Sequence, residues 1–124
     1  MDDIMFLEGG GNMALDYVWE KLYTAVNILA TGQGTIQERL GSAYMDSLMR
    51  LSGDRDEIPE EIRSDFEVLK RELTREKAQG DEGTIAATMR IMDPHEAARH
   101  AEKIVEMFDT VAKMDPQNEY HPKV

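Results

Sequence analysis

Apolar residues recur at intervals of three and four along most of this chain, with polar residues filling the gaps. That period belongs to amphipathic helices. From about Ala14 to Ala30, one face is traced by Leu15, Val18, Trp19, Leu22, Val26 and Leu29. Gly32 follows, where a left-handed residue would end the helix. Thr35 and Glu38 then have the spacing of a capping box, in which the hydroxyl and the carboxylate each satisfy the other residue's backbone N–H. They predict a second helix with Ile36, Leu40, Ala43, Tyr44 and Leu51 inward, ending near Ser52-Gly53. Two helices across so short a loop form a hairpin.

Pro59 is suited to the first turn of a third helix, where its missing N–H costs nothing. Glu60 and Glu61 beside it favour the positive end of the helix dipole. Ile62, Phe66, Leu69 and Leu73 give this helix a narrow apolar stripe, and it is expected to fade around Lys77 to Gln79, before Gly80. Thr84 to Met92 reads as a short fourth helix. Asp93-Pro94-His95-Glu96 repeats the start chemistry, with Asp93 as N-cap and Glu96 at the third position. The last helix turns Ala97, Ala101, Ile104, Val105, Phe108, Val111 and Ala112 inward and stops near Met114, before Asp115-Pro116.

No stretch alternates apolar and polar residues long enough to compete as a strand. The expected fold is all-α: four long helices in an antiparallel bundle with one additional short helix. Residues 1–12, which end in Gly9-Gly10-Gly11 and Asn12, read as a flexible N-terminal extension. Residues 13–115 form the single bundle domain, and residues 116–124 a loose tail.

Composition narrows the function by exclusion. A chain of 124 residues with a formal net charge of −11 presents a surface that repels phosphate backbones and anionic lipid heads. Nucleic acid and membrane are therefore not expected partners. The absence of Cys removes disulfides, thiol chemistry and thiolate metal sites. No apolar run nears the roughly 18 residues of a membrane span, and a cytoplasmic location is the default expectation.

Four patterns have a chemical reading, and each has a plainer one. His95 and His100 are five apart, whereas a zinc-binding helix pair needs four, so that both rings share a face. Glu96 already has a capping role. Glu57 with Glu60, and Glu106 with Asp109, have the spacing by which all-α nucleotide pyrophosphatases hold Mg²⁺. The first pair straddles a turn, and in a chain with 31% charged residues such pairs arise by composition alone. Gly32-Gln33-Gly34-Thr35 has the look of an anion-cradling loop, but it lacks the Walker Lys and follows a helix instead of a strand. No Ser or Thr lies in a nucleophile motif. Neither a catalytic residue, a metal ligand nor a cofactor is assigned on these patterns.

Apolar residues in surplus point elsewhere. On a helical wheel Tyr17 and Ile28 fall almost opposite the core face of the first helix, and Met45 and Met49 fall outside the core arc of the second. Methionine adapts its shape to a partner, and contiguous apolar surface marks an interface. The expectation is a non-catalytic helical protein acting through protein–protein contact, as a self-associating unit, adaptor or regulator. Tyr17, Ile28, Met45 and Met49 would be its binding residues, and a homo-oligomer the first form to look for. The alternative is a Mg²⁺-dependent all-α nucleotide hydrolase using Glu57, Glu60, Glu106 and Asp109. Mimicry of nucleic acid fits less well, because Lys and Arg interrupt the acids of the third helix.

Overall fold

A computed structural model describes residues 13–51 and 58–114. The expected extension at 1–12, the tail at 116–124 and the acidic turn with Glu57 lie outside the described residues. What is described is all-helical: α1 (Met13–Thr31), α2 (Ile36–Asp46), a 3-10 turn (Leu48–Arg50), α3 (Glu60–Leu73), α4 (Thr84–Ile91) and α5 (Pro94–Met114). α1 packs on α2 and α5, α3 rests on α5 and α4, and α4 also lies against α2. No described helix is long and apolar enough to cross a membrane.

The face α1 buries is Leu15, Val18, Leu22, Ala25 and Leu29. Trp19 and Val26, expected on that face, are only partly buried at its edge, and Ala25 takes the centre. Gly32 does not take the left-handed position. Its N–H continues the last turn by donating to the Ile28 carbonyl at 2.8 Å. The chain reverses at Gly34, where φ is +99°. Thr35 and Glu38 then form the capping box, with Glu38 N–H donating to Thr35 Oγ1 at 3.0 Å and Thr35 N–H to Glu38 Oε1 at 2.9 Å. Arg39 crosses from α2 to close α1. Its Nη1 donates to the Leu29 carbonyl at 2.7 Å, placing a cation at the negative end of a helix that has no basic residue in its own last turn.

α2 stops at Asp46, well short of the expected Ser52. The buried Ser47 Oγ donates to the Lys21 carbonyl of α1 at 2.6 Å. A hydroxyl committed to another helix holds the backbone out of helical geometry, at φ −137° and ψ −66°. The 3-10 turn then buries Leu48 and turns Met49 to solvent. Pro59 sits one residue earlier than expected, at the N-cap of α3. α3 also ends early, at Leu73, where Thr74 Oγ1 donates back to the Lys70 carbonyl at 2.8 Å.

α4 and α2 approach closely. Gly41 is buried between them, and a Cβ there would lie 3.0 Å from Met89 Cγ. Gln37 Nε2 donates to the Met92 carbonyl at 3.1 Å, satisfying an acceptor at the end of α4. α5 starts as its sequence suggests, with Asp93 Oδ2 accepting from the His95 and Glu96 amides at 2.9 and 3.3 Å. Its inner face includes the buried Met107 in place of Val105, which is 46% exposed.

Glu96 does not serve the cap. Its carboxylate pairs with Arg75, in the segment after α3, and its Oε2 lies 3.2 Å from His100 Nε2. Arg75 Nη1 also donates to Glu72 Oε1 at 2.8 Å, so the group ties the end of α3 to α5. Arg75, and secondarily His100, hold the Glu96 carboxyl down to about 2 against partial burial, which acts to raise it. A carboxylate depressed in the folded state stabilises above its ordinary range, near 4.5, and loses that contribution as pH falls toward 2. This partly exposed network is worth at most about 1 kcal/mol. Glu96→Gln should therefore be slightly less stable than wild type at pH 6, with the gap closing by pH 2. Urea melts across that range give the test, and a gap of constant size would contradict it.

Candidate functional site: the groove between α2 and α4

The close contact at Gly41 has a second consequence. Beside it, residues of both helices line an open groove of about 570 Å³. Gly41, Ile85 and Met89 form its floor, and Met45 of α2 stands at its wall. Met45 is 45% exposed, and Met49, one turn further along the chain, is 54% exposed. Met45, unbranched and polarisable, thus stands beside an apolar floor, whereas Met49 is exposed on the 3-10 turn and does not line the groove.

Charge at the rim is already engaged. Glu38 accepts from the Thr35 amide in the capping box. Arg90 Nη2 pairs with Glu82 Oε2 at 2.5 Å, which lowers the Glu82 carboxyl and raises the guanidinium. Arg90 thus has a fixed ionic partner, whereas Glu38 keeps its negative charge at the rim.

The structure sorts the four expected binding residues into two pairs. Met45 and Met49 are exposed, whereas Tyr17 and Ile28 are half-buried and packed against the core. The Ser47–Lys21 bond lays the turn after α2 against α1 at Lys21. Lys21 Nζ also lies 5.2 Å from the centre of the Tyr17 ring. Tyr17 and Ile28 do not line the groove.

Of the carboxylates of the hydrolase alternative, Glu57 lies outside the described residues and the other three each have a basic partner nearby. Glu60 pairs with Arg63 at 3.6 Å, Glu106 with Lys103 at 3.1 Å, and Asp109 with Lys113 at 2.9 Å. Each of these pairs is local to its own helix and solvent-exposed.

Sequence reasoning missed what α4 supplies to the groove, namely Ile85, Met89 and Arg90. The signal available was Gly41, a glycine in the middle of a helical pattern, which marks close approach of another element. A second apolar surface also escaped notice. Trp19 and Tyr23 stack at 5.3 Å with Phe108 tilted against both, and Tyr23 is 50% exposed. The buried Trp19 Nε1–H has no acceptor among the described residues.

Comparison of the chain with protein families, curated proteins and solved structures yields no match.

Proposed function

We propose that this chain acts by protein–protein contact through the groove face, and that a second copy of the chain is its first partner. The observation that carries the reading is the exposure of Met45 beside a floor built by Gly41, Ile85 and Met89, with Met49 exposed on the turn that follows α2. A two-fold pairing needs only one such surface, because the same patch serves both copies. The formal charge of −11 per chain opposes pairing. At physiological salt, however, charges more than about 8 Å apart are largely screened. At the rim Arg90 is paired with Glu82, which leaves the Glu38 carboxylate as the charge a second copy would have to accommodate.

Light scattering coupled to size exclusion tests the reading. The wild type is expected to dimerise, more strongly at 0.3 M than at 0.03 M salt. Met45→Glu and Met49→Glu should abolish the dimer with little change in melting temperature, since both side chains face solvent. Ile28→Glu is a poor probe, because it would bury a charge against the core. A strictly monomeric wild type at the highest soluble concentration would sink self-association.

A further inference from the structure

The ionic group between α3 and α5 contains more than an ion pair. α5 places Glu96 and His100 one turn apart on the same face, and the last turn of α3 brings Glu72 to them. One donor atom from each lies within 4.8 Å of the others. Around a tetrahedral zinc ion with bonds of about 2.0–2.1 Å, donor atoms stand roughly 3.3 Å apart. His100 Nε2 and Glu96 Oε2 are 3.2 Å apart already. All three side chains are partly sheltered, at 17% exposure for His100, 20% for Glu96 and 33% for Glu72.

The site also shows that it favours positive charge. Arg75 Nη1 contacts both Glu72 and Glu96, so a cationic nitrogen lies where the two carboxylates converge. Arg75 comes from the segment following α3 and is 32% exposed, which leaves its side chain a path out to water. Its ion pairs are of the solvent-screened kind that contribute little.

We propose that Glu72, Glu96 and His100 form a three-ligand site for a divalent transition-metal ion, which enters by displacing the Arg75 guanidinium. One imidazole nitrogen with two carboxylate oxygens suits zinc or cobalt, whereas magnesium and calcium take oxygen donors. Water would complete the fourth position. The site uses the (i, i+4) pair Glu96 and His100 and leaves out His95, whose spacing to His100 is wrong for a shared ion.

Calorimetry with zinc chloride and visible absorption with cobalt chloride, on the full chain, test the assignment. Wild type should bind one ion per chain, with the intense visible bands of four-coordinate cobalt. Arg75→Ala should bind up to about fivefold more tightly, because the competing cation is gone. His100→Ala and Glu72→Gln should lose the site, and His95→Ala should keep it. Circular dichroism of each variant guards against a misfolded chain. The proposal is overturned if neither wild type nor Arg75→Ala binds stoichiometrically. It is equally overturned if His100→Ala binds as well as wild type, or if Arg75→Ala binds more weakly.

Discussion

Replacing Phe66 by Ala should cost about 3–5 kcal/mol of folding stability. α3 is held to the rest of the molecule by one stripe, with Ile62, Phe66, Leu69 and Leu73 each 2% exposed or less. Phe66 is the largest of them, and α5 and α4 are the elements beneath it. The remainder of α3 is mostly charged, including Glu60, Glu61, Arg63, Glu67, Lys70 and Arg71. Such a helix has no second apolar face to roll onto, so the space left by the ring stays open. A loss of that size is a large share of the roughly 5–15 kcal/mol that holds a domain together. In urea melts the midpoint should fall by about 2 M with little change in slope. Val68, on the same helix but 40% exposed, is the control, and Val68→Ala should lie within about 0.5 kcal/mol of wild type. Equal losses at the two positions would show that α3 is not anchored by this stripe.

Features that depend on neighbours within one helical turn were open to reading from the sequence. The capping box of Thr35 and Glu38 spans three residues, and Asp93 caps α5 through amides two and three residues on. The stripe of α3 was equally plain, because its spacing is regular and everything between is charged. Features that depend on a distant partner were not. α2 breaks at Ser47 because the acceptor for its hydroxyl is a carbonyl 26 residues earlier, and no local propensity signals that. Glu96 was assigned to its own cap, yet its strongest partner is Arg75, 21 residues away. On α5 the wheel placed Val105 inside and left out Met107, so the inner arc was centred too far toward Val105. Half of the groove was legible in the same way. The exposure of Met45 follows from the wheel of α2, while that of Met49 depends on the 3-10 turn and the facing side needed the position of α4. Tyr17 and Ile28, outward on the wheel of α1, are half-buried against the core, which a single-helix wheel has no means to show.

Thr88 shows how much one buried hydroxyl can govern, and Thr88→Val should cost about 1–3 kcal/mol although it preserves volume. The side chain is fully buried in α4. Its Oγ1 donates to the Thr84 carbonyl at 2.7 Å and accepts from the Glu76 N–H at 3.0 Å. The Thr84 carbonyl is not the main loss, since a carbonyl within a helix keeps its backbone donor. Glu76 belongs to the connection between α3 and α4, and valine would leave its part-buried N–H without an acceptor. Thr88→Ser keeps the hydroxyl and removes only a methyl group, so it should cost about 0.8 kcal/mol, the worth of one buried carbon. Amide exchange separates the two effects. The Glu76 amide should lose protection in the valine variant and retain it in the serine variant. Because Arg75 is the preceding residue, a loosened Glu76 should also weaken the hold of Arg75 on Glu96. The double variant Thr88→Val with Arg75→Ala should therefore lose less than the sum of the single losses. Strict additivity would show that the connection and the ionic group between α3 and α5 act independently.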